Sequence, residues 1–508
     1  MHPILFTLPL PGFNLPYAWI PLIIAALALL VAVAKMIGSD KDRAGAAISA
    51  GIAVVAVIAR FTVLKGNTDS WAVGKIPIYS YGVMLGLSLV VGWYLTLGLA
   101  ERDGLPKETM ANNYVVTAIA AVAGARILYI LTNLNEFDSL ASMFAMRRGG
   151  LVAYGGFLGG LAGSFFFLRH HKIPLLPWAD VAVPSLASGL MITRIGCYLF
   201  GCDFGQPLSS GAPGFLKKLG TFPHWAEGTL EHGSGAPAWV EHTKPEWAAL
   251  HPGLSPLTHT STESYPVHPT QLYESLVGLG LLGLLLWARR KQKFRGEIFF
   301  LFAFAYGVCR YLLEILRDDA ERGSIPPALP EHILIPLGLL VLAVGWVIGF
   351  SRAIENKALQ RATQVVAFVP VVALYFVLKP AQGNFDVSVE FSTSQFIAIT
   401  SGFAASAAFA IYYKAALAHP QQAMDLGLPR ELAPPGSAVL APADDDDEEA
   451  PVRRPPPRKV KKGKGKAKKA PLVAEDAVSA EAEPGEATKE AAETPEASRD
   501  EASKDDEG

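Results

Sequence analysis

Tyr306, Arg310, Glu314 and Arg317 recur at i, i+4, i+8 and i+11, so they share one face of a helix. Another arginine, Arg194, lies in the stretch from Trp178 to Cys202, which is otherwise apolar enough to cross a bilayer. A guanidinium stays charged at any biological pH, and placing one in hydrocarbon costs about 2.5–3.5 kcal/mol or more. Such a charge is tolerated where it lines a polar cavity and meets an anion. Two arginines at one depth, with tyrosine hydroxyls beside them, supply the forked donors of a phosphate clamp. A simple Arg310–Glu314 ion pair is the plainer alternative for Glu314, but it leaves Arg194 unexplained.

These side chains need a membrane body around them. The chain is 51% hydrophobic with a mean hydropathy of +0.30, even though it ends in a long charged segment. That balance excludes an ordinary soluble enzyme and indicates an all-α polytopic membrane protein. Apolar runs of spanning or near-spanning length fall at about 17–37, 46–64, 79–99, 114–133, 152–168, 178–202, 271–288, 297–316, 332–350, 363–379 and 393–413, which predicts about 11 transmembrane helices.

Lysine and arginine concentrate on one side of the alternating loops, with Arg289, Arg290, Lys291, Lys293 and Arg295 as the densest group. The N-terminus is then expected outside, the tail inside, and the long loop 203–268 outside. On that orientation six helices bring polar groups to the outer leaflet. They carry Tyr79 and Tyr81; Arg126 and Tyr129; Tyr154 and Gly156, just after Arg147 and Arg148; Arg194; Gln271, Tyr273 and Glu274; and the face from Tyr306 to Arg317. One cavity accounts for all of them. The glycines at 149–150, 155–156, 159–160, 196, 201 and 205 permit close backbone approach there, or serve ordinary small-residue helix packing.

From about 430 onward the chain is rich in Pro, Ala, Glu and Lys, with an acidic run at Asp444 to Glu449 and a basic block at Arg453 to Lys469. Such a segment cannot bury a core, so a disordered, solvated tail is expected, or a basic block that faces anionic lipid or nucleic acid. Cys197, Cys202 and Cys309 are too few for a disulfide framework, and neither a metal nor a cofactor is expected. No internal repeat is evident, which argues against a transporter built from inverted halves. The outer loop carries Trp225, His232, Trp239, His242, Trp247, His251 and His259. Their irregular spacing suits a lid, a docking surface or membrane-interface aromatics better than a metal site.

Taken together, these stretches resemble the bacterial prolipoprotein diacylglyceryl transferase family. The resemblance is carried by Tyr79-Ser-Tyr-Gly82, Gly124-Ala-Arg126-Ile-Leu-Tyr129 and the glycine-rich run from Arg148 to Gly160. It continues through Arg194-Ile-Gly-Cys-Tyr-Leu-Phe-Gly-Cys-Asp-Phe-Gly205, His268-Pro-Thr-Gln-Leu-Tyr-Glu274 and the Gly296 to Arg317 segment. It implies extra N-terminal membrane helices over 1–75, a seven-helix transferase core over 76–350 with an extended outer loop, extra C-terminal membrane helices over 351–425, and a disordered charged tail over 426–508.

The activity it implies is transfer of the diacylglyceryl group of phosphatidylglycerol to the lipobox cysteine thiol of a prolipoprotein in the inner membrane, with release of glycerol phosphate. The partners are then phosphatidylglycerol, prolipoprotein lipobox peptides and the bilayer, and not nucleic acid. By motif, Arg194 and Arg310 stand where the family's essential arginines stand, and Tyr154 holds a third catalytic position. Tyr81, Arg126, Gly156, Gly205, Gln271, Tyr306 and Glu314 complete the implied phosphatidylglycerol site. The chain departs from the commonest pattern at three places. Tyr154 stands for a histidine, Cys197 for an asparagine, and Cys202 for an acidic residue with Asp203 beside it. Tyr154 is then either the base for the thiol or a group that orients the headgroup. A related transferase with another acceptor is the alternative those departures suggest. A non-catalytic lipid carrier is disfavoured, because its polar groups would have to reach the midplane.

Overall fold

A computed structural model describes residues 3–16, 19–37, 43–62, 70–137, 143, 150–225, 235–258, 260–318, 323–379 and 388–429. The charged tail beyond 429, expected to be disordered, lies outside the described residues, as do Arg147, Arg148, His232 and His259.

Each apolar run becomes a helix. In chain order these are α1 (Ile20–Ile37), α2 (Arg43–Thr62), α3 (Ser80–Asp103), α4 (Lys107–Thr132), α5 (Ala153–His170) and α6 (Leu175–Phe200). After α7 (Gly214–Leu219), α8 (Pro237–His242) and α9 (Pro245–Leu250) in the long loop 203–268 come α10 (Thr270–Arg289), α11 (Glu297–Ile315), α12 (Glu331–Ile348), α13 (Lys357–Leu378) and α14 (Thr393–Ala418). Among the described residues, eight helices are long and apolar enough to cross a membrane, and shorter apolar helices run over Ile20–Met36 and Ser49–Ile58. The protein is an all-α polytopic membrane protein. The wide apolar faces it leaves exposed fit that solvent: α13 buries no residue, and its Val365, Val366, Phe376 and Val377 point outward.

The sequence pattern gives no strands, yet four are present among the described residues. β1 (Ile4–Pro16) pairs antiparallel with β2 (Ser70–Tyr79), and β3 (Ser324–Pro330) with β4 (Ser388–Ser392). Prolines at 9, 11, 77, 326 and 327 remove these segments from any helical reading, and mutual pairing satisfies the backbone groups they would otherwise leave bare.

Local chemistry sets the helix ends. Gly104 and Gly201 take left-handed φ values of 81° and 86° after α3 and α6, closing both helices without a Cβ clash. Ser392 and Gln395 form a reciprocal capping box at the start of α14. Packing then joins the helices. A Cβ on Gly124 of α4 would lie 2.4 Å from the Gly155 carbonyl of α5, so these two backbones touch and need glycine at the crossing. The helices after 350 are not merely appended: Ala398, Ile399, Ala405 and Phe409 of α14 share one core with Phe304 and Tyr311 of α11 and Leu342 of α12.

At one end of the bundle, α3, α6, α10 and α11 are tied by a polar network. Asp180 is fully buried and accepts hydrogen bonds from the Gly296 and Phe299 amides at the N-terminus of α11 (2.6 and 3.0 Å) and from Gln292 Nε2 (2.6 Å). Asp103 pairs with both Arg289 (2.8 Å) and Arg295 (2.6 Å). The candidate site occupies the opposite end of the same helices.

Candidate active site

Arg194 lies near the C-terminal end of α6, and the left-handed turn at Gly201 folds the chain back towards it. Asp203 also takes a left-handed φ of 55°, which aspartate tolerates better than most residues. The reversal aims its carboxylate at two arginines: Oδ2 meets Arg194 Nη1 at 2.6 Å, and Oδ1 accepts from Arg317 Nη2 at 2.6 Å. Burial alone would raise the Asp203 pKa, but Arg194, then Arg317 and Arg310, hold it down at about 2.

Glu274, in the second turn of α10, joins the arginine pair. It accepts from Arg194 Nε at 2.9 Å and meets Arg310 Nη1 at 3.4 Å, and its side chain is only 4% exposed. Arg310 Nη2 also reaches Glu314 Oε2 at 3.0 Å and Ser394 Oγ at 3.0 Å. The Tyr154 hydroxyl donates to the same Ser394 Oγ at 2.7 Å. Tyr306, one turn before Arg310, lies in the electrostatic neighbourhood of Glu274, Arg310, Arg194 and Tyr154. Tyr81 borders Cys197, Cys202 and Arg194, and its backbone packs against Gly196. Six of the predicted residues, Arg194, Arg310, Tyr154, Tyr81, Tyr306 and Glu314, thus meet in one place.

The other four occupy positions around that cluster. Gln271 is fully buried and its side-chain amide donates to the Cys202 carbonyl, fixing the turn that carries Asp203. A Cβ on Gly205 would come within 2.5 Å of the Leu316 carbonyl and 2.8 Å of His268, so only glycine lets the end of the Arg194 motif run between α10 and α11. Gly156 faces Ala121 and Ala125 of α4, in ordinary contact range. Arg126 donates to the carbonyls of Met143 (2.8 Å) and Gly150 (3.0 Å) and lies over the rings of Tyr129 and Phe137, so it orders the approach to α5.

The arginines of the expected phosphate clamp carry counter-charges of their own. Arg194, Arg310 and Arg317 meet Asp203, Glu274 and Glu314, a balance of three charges of each sign. The reason is elementary: a guanidinium 8–18% exposed needs an anion whether or not a ligand is bound. Glu274 and Asp203 both stand in the motifs of the site, but no local spacing pairs either acid with Arg194. Ser394 carries no comparable signal, since an ordinary Ser-Thr-Ser-Gln run looks like a helix cap and nothing more.

The long loop 203–268 builds its own core from Phe204, Phe222, Ala236, Ala238, Trp239 and Val267. Trp239 and Trp247 are each 3% exposed, so they pack inward and do not form an interface belt. Trp247 Nε1 donates to Asp318 Oδ2 at 2.7 Å, and His251 Nε2 lies 3.2 Å from Asp318 Oδ1, which ties the loop to the end of α11 one residue from Arg317. His242 is fully buried, and burial followed by the nearby His251 lowers its pKa from 6.5 to about 3. Among the described residues, Cys197, Cys202 and Asp203 offer a metal-like grouping, with ligand atoms within 4.8 Å. A cation there would face the two guanidiniums already bound to Asp203, so the donor set fits a metal poorly.

Residues 69–355, more than half of the chain, match the sequence model of the family described as prolipoprotein diacylglyceryl transferase. The chain is 29% identical over 286 residues to the phosphatidylglycerol–prolipoprotein diacylglyceryl transferase of Geobacillus kaustophilus, covering 55% of this chain and 93% of that protein. It is 31% identical over 252 residues to the enzyme of that name from Thermus thermophilus, covering 48% and 80% respectively. A Clostridium perfringens protein of the same name, numbered 2, is 30% identical over 251 residues, covering 49% and 82%.

Proposed function

Since the chain belongs to the prolipoprotein diacylglyceryl transferase family, we propose that the Arg194–Glu274–Arg310 cluster is where phosphatidylglycerol gives up its diacylglyceryl group. The protein is a membrane transferase acting between phosphatidylglycerol and prolipoproteins. One observation carries the site assignment: guanidiniums from two different helices converge on a single carboxylate. A phosphodiester of similar reach can take the place of that carboxylate and accept from both at once.

The reaction then follows from charge. The acceptor is the lipobox cysteine thiol of a prolipoprotein, and its sulfur attacks the glyceryl carbon that bears the phosphate. The C–S bond forms, the C–O bond breaks with its electron pair on the phosphate oxygen, and glycerol phosphate leaves with one more negative charge. Arg194 and Arg310 are placed to stabilise that added charge. Glu274, freed from the guanidiniums as the phosphate enters, is the carboxylate available to take the thiol proton. Tyr154, Tyr81 and Tyr306 orient the headgroup, while Gln271 and Gly205 hold the turn carrying Asp203.

We place the site towards the outer leaflet of the bacterial inner membrane and the tail in the cytoplasm, supported by the loop distribution of lysine and arginine. Residues 76–350 are read as the transferase core, with 1–75 and 351–425 as membrane extensions. The test is transfer of labelled diacylglycerol from phosphatidylglycerol to a lipobox peptide by the purified chain, with complementation of a transferase-depleted strain. A well-inserted protein that transfers nothing would overturn the reading.

A further inference from the structure

The family match ends at residue 355, yet α14 begins at Thr393 and places Ser394 inside the arginine cluster. Ser394 Oγ accepts from Tyr154 at 2.7 Å and from Arg310 at 3.0 Å, so one hydroxyl joins groups 240 and 84 residues away in sequence. A serine hydroxyl has two acceptor lone pairs and one proton to donate. With both lone pairs engaged, its remaining capacity is a donor, beside a guanidinium.

The position is held firmly from behind. Ser392 and Gln395, which flank Ser394, close the capping box at 3.0 and 3.1 Å and are 7% and 5% exposed. Just before them, β4 pairs with β3, fixing Phe391 opposite Ile325 and Ser392 opposite Ser324. Behind them, Ala398 of α14 lies so close to α11 that a Cβ on Gly307 would come 2.8 Å from its carbonyl. The first turn of α14 therefore cannot shift without moving the helix that bears Arg310.

We propose that Ser394 is a positioning residue of the transferase site, and that the C-terminal extension of this chain completes that site. Tyr154 occupies a place where the family resemblance puts a histidine, and its phenol is the group that reaches the extension. The tyrosine and the serine work as a pair: Ser394 fixes the phenol and holds the Arg310 guanidinium in the orientation that meets the phosphate. The proposal rests on the phosphatidylglycerol reading above.

The test uses the full chain in phosphatidylglycerol-containing membranes, with transfer to a lipobox peptide measured for Ser394→Ala, Ser394→Thr, Tyr154→Phe and the double variant Ser394→Ala/Tyr154→Phe. Loss of a hydrogen bond to a charged partner predicts about a tenfold fall in kcat/KM for Ser394→Ala, with the melting temperature unchanged. Ser394→Thr keeps the hydroxyl and recovers most of the rate. The double variant falls no further than the worse single variant, because both substitutions break one unit. Wild-type rate in Ser394→Ala, a threonine variant no better than alanine, or losses that multiply in the double variant would each overturn the pairing. If the wild-type chain transfers nothing, the functional reading falls instead. Ser394 is then judged by thermal stabilisation on adding phosphatidylglycerol rather than phosphatidylethanolamine. Ser394→Ala should lose part of that shift, and an unchanged shift counts against the proposal.

Discussion

The two ends of the bundle both bury charge, yet they bury it in different company. At the Asp180 end, one carboxylate takes two backbone amides of the α11 N-terminus and a glutamine, so its partners are fixed by the fold. At the Arg194 end, Asp203, Glu274 and Glu314 meet guanidiniums on side chains that can turn. The first arrangement is a helix cap with no vacant role, favourable for the field at the helix N-terminus. The second is a set of exchangeable pairs, in which an incoming anion can take over a carboxylate's place. Buried charge alone does not mark a functional site, and neither does a guanidinium partner alone, since Asp103 pairs with Arg289 and Arg295 at the Asp180 end.

That contrast breaks most sharply under arginine removal. Arg194→Ala or Arg310→Ala is expected to lower transfer by about 10²–10³-fold in labelled-lipid assays, since each removes a donor aimed at the departing phosphate. Asp180→Ala should do the reverse: about 1–3 kcal/mol of stability lost for each buried amide donor left unpaired, read in thermal or denaturant melts, with turnover per folded molecule within about twofold. If Asp180→Ala stops turnover in folded protein, or Arg194→Ala only destabilises, the distinction between the two ends is gone.

Glu274→Gln sharpens the comparison at lower amplitude. It removes the anion that competes with lipid phosphate, so KM for phosphatidylglycerol should fall by about fivefold while kcat falls by about tenfold or more. A variant that changes neither constant would remove Glu274 from the clamp.

Acid separates the 203–268 loop from the arginine cluster. His242 is neutral when folded down to about pH 3, whereas in an unfolded loop it takes up a proton below about 6.5. Folded loop is therefore lost at about 1.4 kcal/mol per pH unit between those limits. Asp203 has the same sign in a lower window: its pKa drops from 3.8 to about 2, so its contribution is whole above 3.8 and is lost as the pH falls through 2. At pH 5, amide exchange over 235–258 should rise while the Arg194–Asp203 region stays protected. Protection that is lost from both together would show that they open as one. The smallest expected effect is that of Cys197→Ala, which should keep transfer within about threefold of wild type, because Cys197 touches Arg194 only weakly, at 3.8 Å.

Much of this was legible before any coordinates. The span pattern gave the helices, because bilayer thickness dictates both length and composition, and the unaffordable charge of Arg194 pointed to the cluster. The helical spacing of Tyr306, Arg310 and Glu314 placed them on one face as found. Three things were hidden. The counter-charges at Asp203 and Glu274 depend on a left-handed turn and on the entry of α10, which no local spacing encodes. Ser394 depends on the packing of α14 against α11, a contact between distant segments. The strands depend on pairing partners dozens of residues away.

The pairing of β1 with β2 has a topological consequence. Pro16 lies opposite Ser70, so the chain enters and leaves the α1–α2 region at a single point. In connectivity, those two helices are the loop of a hairpin, and the strands are its stem. Replacing residues 17–69 with a two-residue turn that joins Pro16 to Ser70 is expected to preserve the register leading to Tyr79, checked by membrane insertion and folding of the shortened chain. In connectivity, α1 and α2 are therefore a single insertion into the hairpin from which α3 begins.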